Sequence, residues 1–385
     1  MIAKSLDLLY YRNHKMECEG MEKSTIKNIA QLSGVSIGTV DRALNNRGRI
    51  NEETKRRVLE AAASIGYRPN RIASALGRSR RYRIASITPA NPLYFHQEMQ
   101  LGILDAQKEL SDYGVDVDMI LCDRLTVPDQ IKLLEAFDRE KYDGLALNAS
   151  GDALNGHINS IVDSGIPVVT FNSDAVNSKR LFYVGEAAYK SGQIAGDMMG
   201  RMLGGKGKVG SLISFFNPGA SLSRYQGFCD TLRAHYPDIV LTGPWEYQDS
   251  DELARMAVEN AFACHPDLNG LFSNSANGTV FSGAYVQEHG LADRVTVVGY
   301  DVTKDVEHFL LNGSCTMVID QEPRKQSYYG VKLLAKHLLE KWKPDSSILE
   351  IRVQLVMRYN AADHSMRNGL NNNTKYIDLM RDNWA

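Results

Sequence analysis

Amide and carboxyl side chains recur in this chain directly after short apolar runs. Asn91 follows YRIASITPA, Asn148 follows GLAL, and Asn172-Ser173-Asp174 follows PVVTF. Asn274 and Asn277 come after GLFS, Asp301 after VTVVGY and Gln321 after CTMVID. In α/β proteins a ligand sits beyond the carboxyl ends of parallel strands, so residues placed there are candidate ligand contacts. Catalytic spacings are missing from the same survey. The nine histidines form no HExxH or other metal pattern, and no serine occupies a GxSxG elbow. Gly204-Gly205-Lys206-Gly207-Lys208-Val209-Gly210 has the composition of a phosphate cradle but not the GxxxxGK[ST] spacing. It also runs from a helix into a strand, so it is read as a turn. No enzyme, cofactor or metal site is expected.

Those residues need a scaffold. From Arg83 onward, strand-like runs (YRIASIT, VDVDMILC, GLALNA, PVVTF, KVGSLIS, GLFSN, VTVVGY, CTMVID) alternate with amphipathic helical runs. The helical runs are Gln97–Leu110, Pro128–Glu140, Ala187–Leu203, Ser223–Ala234, Glu252–Cys264, Gly278–Glu288 and Pro323–Lys341. Strand–helix repetition of this kind implies parallel sheets covered on both faces. It is also too long for one core, so two α/β subdomains are expected. The five cysteines are scattered, no stretch has the ~20 apolar residues of a membrane helix, and the first twenty residues lack a secretion signal. These features point to a cytoplasmic protein.

Charge divides the chain in two. Residues 21–83 hold fourteen Lys/Arg against five acids, a balance of +9, whereas residues 84–385 balance at -11. A small basic module joined to a larger acidic one points to a polyanion partner at one end. Within the basic module, Thr25 can cap a helix with Ile26, Ile29, Ala30 and Ser33 on one face. Gly34-Val35-Ser36 breaks it, and Ser36 can cap a second short helix with Val40, Ala43 and Leu44 inward. A third helix begins after Asn51, with Val58, Leu59, Ala62 and Ile65 on one side. Two short helices joined by a Gly-containing turn form a helix-turn-helix signature.

The segment TIKNIAQLSGVSIGTVDRALNNRGRINEETKRRVLEAAASIGYRPNRIASALGR closely resembles the DNA-binding head of the lactose-repressor (LacI/GalR) family of bacterial transcription regulators. The resemblance implies that the second helix enters the major groove of double-stranded operator DNA. By position, Thr25, Ser36, Ile37, Gly38, Thr39, Arg42 and Asn45 would then contact bases or phosphates, with Arg42 able to fork onto guanine. Asp41 departs from the small hydroxyl residue common in the family; a helix-capping or solvent-facing acid and a base contact are both open. Asn70-Arg71-Ile72-Ala73-Ser74-Ala75-Leu76-Gly77 resembles the family's hinge helix. There Asn70, Arg71 and Ala75 would touch DNA and Leu76 would wedge into the minor groove.

VVGYD ending at Asp301, Ser223-Arg224-Tyr225-Gln226-Gly227-Phe228 and Asp320-Gln321 resemble the type I periplasmic sugar-binding fold of the same repressors. The resemblance implies a ligand wall of Asn91, Leu93 and Tyr94. It also implies hydrogen bonding by Asn148, Asn172, Ser173, Arg224, Asn274, Asn277, Asp301 and Gln321. Sugar hydroxyls donate and accept at once, which amides, a carboxylate and a guanidinium satisfy in pairs. Trp245 or Tyr247 could cover the apolar sugar face, although either fits core packing at least as well. Ser173 stands where ribose-binding relatives tend to have Arg, which argues against ribose.

The expected organisation is an N-terminal extension over 1–23, a helix-turn-helix domain over 24–69, a hinge helix and linker over 70–82, and an effector domain over 83–360. Within the effector domain, one subdomain comprises 83–184 and 299–320 and the other 185–298 and 321–360, with crossings near 184, 298 and 321. Residues 361–385 form a tail. The implied protein is a homodimer, or a tetramer, that represses transcription from a palindromic site under control of a monosaccharide or derivative. A sugar-phosphate enzyme, and a regulator with a non-sugar corepressor, are the alternatives.

Overall fold

The computed structural model describes residues 26–44, 50–65, 81–90, 94–122, 126–216 and 219–366. The chain divides into two compact units, Met1–Arg78 and Ser79–Ala385.

In the first unit, α1 (Ile26–Ser33), α2 (Ile37–Leu44) and α3 (Glu52–Ser64) close on one small core of Ile29, Val40, Ala43, Val58 and Ala62. Each helix end has a local cause. Gly34 adopts φ +65° after α1, a left-handed conformation that a residue with a Cβ resists. The Ser36 hydroxyl accepts from the Thr39 amide at 3.2 Å to open α2, and Asn51 Oδ1 accepts from the Glu53 amide at 2.9 Å to open α3. Arg57 donates from α3 to the carbonyl of Ser33, tying α3 to the end of α1. Leu59, expected inside, is exposed, because Val58 and Ala62 already fill the α3 side of this core.

The second unit holds two six-stranded sheets. Lobe 1 has the order β11-β5-β4-β3-β1-β2 and is parallel throughout. Its strands are β1 (Tyr82–Pro89), β2 (Val115–Cys122), β3 (Gly144–Leu147), β4 (Val168–Phe171), β5 (Phe182–Gly185) and β11 (Ile348–Glu350). Lobe 2 has the order β12-β10-β9-β8-β6-β7, with only β12 antiparallel. Its strands are β6 (Lys206–Ile213), β7 (Asp238–Glu246), β8 (Gly270–Ser273), β9 (Thr296–Tyr300), β10 (Met317–Asp320) and β12 (Gln354–Val356). Alternate residues feed opposite faces of each sheet, the two-residue period of a strand. Ile84 packs with α4 (Tyr94–Leu110) and α12 (Pro323–Glu340), while Ala85 and Ile87 pack with α5 (Val127–Glu135) and α6 (Asn155–Asp163). In lobe 2, Val298 faces α7 (Ala188–Met202) and α8 (Ala220–His235). Its neighbour Val297 faces α9 (Asp251–Cys264), α10 (Ala276–Glu288) and α11 (Lys304–Asn312).

The subdomain assignment needs correcting. Residues 299–320 belong to lobe 2, because β9 and β10 extend its sheet through β8. The helix α12, expected in the C-terminal subdomain, packs instead on lobe 1, where Val331, Leu334, Ala335 and Leu338 share a core with Ile103 and Phe171. The chain therefore crosses between lobes near residues 186, 321 and 352, and not near 298. The effector unit also runs past 360. A last helix, α13 (Ala361–Met366), seals lobe 2 with Ala361 buried in its core. At its other end the unit boundary at Ser79 falls within the linker expected over 70–82, and β1 already begins at Tyr82.

Candidate functional site

In the head, the outward face of α2 is set by what its inward face buries. Val40 and Ala43 are in the core, which leaves Ile37, Gly38 and Arg42 exposed, Ile37 to 50 %, and Thr39 half-buried. Arg42 lies along its own helix. Its Nε donates to the Gly38 carbonyl at 3.1 Å and its Nη2 to Thr39 Oγ1 at 3.4 Å. Ser36 Oγ pairs with Thr39 Oγ1 at 2.9 Å. Five of the expected DNA contacts, Ser36, Ile37, Gly38, Thr39 and Arg42, thus lie on α2 and its cap, with the guanidinium bonded only within its own helix among the described residues. Thr25, Asn45, Asn70, Arg71, Ala75 and Leu76 lie outside the described residues.

In the effector unit, the carboxyl ends of both sheets meet at the crossings, and a hydrogen-bonded chain of polar side chains runs through them. Arg224, on α8, is its centre. The residue is 6 % exposed and each of its guanidinium nitrogens donates: Nε to Glu186 Oε1, Nη1 to the Asn274 carbonyl at 2.9 Å, and Nη2 to Gln321 Oε1 at 2.6 Å. It also stacks 4.5 Å from the centre of the Tyr300 ring. Burial works against the charge, but Glu186, Tyr300 and Asp301 outweigh it and hold the guanidinium above its ordinary pKa. Gln321, in the second crossing, passes the chain on by donating from Nε2 to Asp301 Oδ1 and Oδ2 at 3.1 and 3.2 Å. Burial pushes the Asp301 carboxyl up to about 7 despite the nearby Arg224.

On the lobe 1 side, Asn148 Nδ2 donates to Asn172 Oδ1 at 3.4 Å, and Asn172 Nδ2 to Gln326 Oε1 at 3.1 Å. Gln326 Nε2 donates in turn to the Gln321 carbonyl at 2.7 Å, joining the two halves. Asn172 and Asp301 each turn left-handed, with φ of 63° and 64°, as the chain leaves β4 and β9. Short polar side chains tolerate that region better than most, which fits Asn and Asp to these strand exits.

The structure separates the remaining candidates. Asn274 is wholly engaged inside lobe 2: its Oδ1 accepts from the Ser214 amide at 2.9 Å, and its Nδ2 donates to Ser221 Oγ at 2.7 Å and to its carbonyl at 3.0 Å. It positions Arg224 through its backbone carbonyl. Asn277 donates to the Asp249 carbonyl and to Asp251 Oδ1 at 3.1 and 3.0 Å, binding α10 to the start of α9. Ser173 is half-buried at the β4 exit beside Asn172, where its carbonyl accepts from Ala149 at 3.3 Å. Its neighbour Asp174 is taken by an ion pair with Arg180. Tyr247 is fully buried and bonded to Ser275 at 2.7 Å, and Trp245 packs on the lobe 2 core, so both aromatic platform candidates are packing residues. Asn91, Leu93 and the side chain of Tyr94 lie outside the described residues.

Comparison with known proteins matches both units. Residues 25–70 match the family model for bacterial regulatory proteins of the lacI family, and residues 84–341 match the periplasmic binding protein domain. The chain belongs to the lacI family of bacterial regulatory proteins. It is a DNA-binding transcriptional regulator. The HTH-type transcriptional repressor PurR of Histophilus somni is 25 % identical over 87 % of this chain and 98 % of its own. The ribose operon repressor of Halalkalibacterium halodurans is 24 % identical over 87 % and 96 %. Among solved structures, AraP, an arabinose binding protein from Geobacillus stearothermophilus, is 25 % identical, with a TM-score of 0.64 over 74 % of this chain and 99 % of that one.

Within this lacI-family architecture, four residues escaped the sequence reading. Glu186 precedes a helix and has the appearance of an ordinary first-turn acid, yet it is the ion-pair partner of Arg224. Gln326 looks like a mid-helix polar residue and proves to be the bridge between the halves. Phe215 and Phe216 follow β6 and are 36 % and 46 % exposed, with Phe216 edge-on to Tyr225. Large apolar side chains left exposed at strand carboxyl ends were the available signal.

Proposed function

We propose that this regulator is a repressor that acts as a homodimer in the bacterial cytoplasm, gripping a palindromic operator with α2 of each head and releasing it, or gripping it harder, when a sugar-like ligand fills the cleft of the effector unit. The observation that carries this reading is the polar chain Asn148–Asn172–Gln326–Gln321–Arg224–Glu186, with Asp301 hanging from Gln321. Amides, a guanidinium and carboxyls at the meeting of two lobes offer paired donors and acceptors, which is what sugar hydroxyls require. Phe215 and Phe216 supply the apolar cover for a sugar face. The names of the arabinose binding protein and the ribose operon repressor point the same way.

The mechanism is linkage. Ligand that contacts both lobes favours one hinge angle across the three crossings. A coupling of about 1–3 kcal/mol between cleft and head would change operator affinity about 5–150-fold, in either direction. Asn45, Asn70, Arg71, Ala75 and Leu76 keep the DNA-contact roles that the family resemblance implies. The test is retention of the protein on a duplex from its own promoter, with and without pentoses, hexoses and their phosphates. A sequence preference that is lost on deleting residues 21–83 and altered by a sugar supports the reading. Equal binding to random duplex, or turnover of a sugar phosphate unaffected by that deletion, would replace it with the enzyme reading.

A further inference from the structure

The cleft holds acceptors that no other described residue answers. Glu186 is 5 % exposed; its Oε1 takes the Arg224 Nε–H, while its Oε2 is buried and has no hydrogen-bond partner. Asn148 is 0 % exposed, and its Oδ1 is likewise buried and unpartnered, although its Nδ2 is used. A buried polar atom left unpaired costs folding free energy, more so when it is charged, so such atoms are retained where something outside the chain supplies the partner. Both belong to the polar chain at the lobe junction, one at each end: Asn148 at the carboxyl end of β3 in lobe 1, Glu186 in the crossing that leads to lobe 2.

Positive charge at the same place is already matched. Arg224 is the cation of this network, and three of its five N–H groups donate, to Glu186, Asn274 and Gln321. Glu186 and Asp301 both stand near it, so the guanidinium brings no surplus positive charge to an incoming carboxylate or phosphate.

We propose that the cleft takes a polyhydroxy ligand carrying no negative charge, a neutral sugar or its amino derivative, and that Glu186 Oε2 and Asn148 Oδ1 are the acceptors that receive its donors. The inference rests on the reading of the cleft as the effector site and adds the charge class and the residue that sets it. A hydroxyl can approach Glu186 as donor, and an ammonium group can do so with a gain in charge pairing. A uronate or a sugar phosphate would bring its anion against Glu186 and Asp301 with no uncommitted cation among the described residues of the network.

The experiment is calorimetric titration of the full-length protein with matched probes. These are D-ribose, D-arabinose, D-xylose, D-glucose and D-galactose; D-glucosamine and D-galactosamine; D-glucuronate and D-galacturonate; and ribose 5-phosphate and glucose 6-phosphate. Binding is expected among the neutral and amino sugars, at least about tenfold tighter than to the matching acid or phosphate. Glu186→Gln keeps an oxygen for Arg224 and puts an NH₂ where Oε2 was. A hydroxyl can turn round to accept from it, whereas an ammonium cannot. The variant should therefore weaken a neutral sugar a few-fold and an amino sugar by about tenfold or more, the effect of losing one charged hydrogen bond. Glu186→Asp, which keeps the charge, should preserve the order of preference. A uronate or sugar phosphate as the tightest probe overturns the charge class while leaving the cleft a sugar site. Equal losses for neutral and amino sugars in Glu186→Gln overturn the role of Glu186. Binding of no carbohydrate overturns this inference together with the sugar effector itself. The wild-type comparison needs no variant to fold.

Discussion

Arg224 and Glu186 form a buried ion pair in which each charge justifies the other, and that asymmetry can be measured. Removing one partner leaves the other desolvated and uncompensated, a loss of about 3–5 kcal/mol. Arg224→Ala is therefore expected to lower stability by that order in urea denaturation, and Arg224→Ala combined with Glu186→Gln to recover a substantial part of it. Simple additivity of the two would show that the pair is not coupled. A second expectation concerns protons. Burial pushes both Asp301 and Glu98 up to about 7, although Arg224 and Arg324 respectively pull against it. Between the ordinary carboxyl range and pH 7 the folded state holds protons that the unfolded chain has released, so stability falls as pH rises through that window and levels off above it. Asp118, Asp197 and Asp267, held low in the folded state, act only below the window. Asp301→Asn should gain on the wild type as pH rises from about 4.5 to 7.5 in thermal melts. A constant difference between the two would refute the assignment. The sequence made Asp301, Arg224 and Gln321 legible because they end or adjoin recognisable runs. The bonds of Asn277 to Asp249 and Asp251 were not legible in the same way, because they tie two helices together and depend on how α9 and α10 pack.

At the scale of elements, the site depends on how closely α7 and α8 approach. A Cβ on Gly192 would lie 2.0 Å from the Arg224 carbonyl oxygen, and one on Gly227 would lie 2.0 Å from that of Tyr189. Backbone cannot yield as a side-chain tip does, so Gly192→Ala must push α8, and with it Arg224, off its place. A destabilisation of about 1–3 kcal/mol is expected, together with weakened ligand binding. Gly156→Ala, in α6 with open space around it, should cost nothing measurable. If both variants melted alike, the close approach would be irrelevant. Strands with a strong apolar signal, such as Val295–Tyr300, were readable from pattern alone. Others were not: β7 contains Gly243-Pro244 and lies at a sheet edge, where proline is tolerated and burial is partial. The strands β11 and β12 are three residues each, too short to carry a period. Pattern likewise overran α5, expected to Glu140 but ending at Glu135, before Phe137 and Tyr142 stack on each other.

For the whole molecule, the two units make separate claims. Each encloses its own core, so residues 79–385 are expected to fold and to bind ligand without the head, as judged by circular dichroism and calorimetry; loss of the fold would contradict the division. Operator affinity of the full chain should fall linearly with the logarithm of salt concentration, since the head's basic surface displaces counterions from phosphates. Where the lobes begin and end was the least legible feature, because strand order within a sheet is a long-range property. Nothing local in Thr296–Tyr300 says whether it will lie beside β4 or β8.

That interleaving has a consequence for how such a protein can be taken apart. The final thread of the effector unit lays β11 along the outer edge of one sheet, then turns within three residues to lay β12 along the outer edge of the other. No single scission of the backbone yields two self-sufficient halves, and a stop codon ahead of Ser346 would strip a border strand from both at once. A gene encoding this architecture can be shortened at its start without harm to the receptor, but not back into the thread that carries β11 and β12.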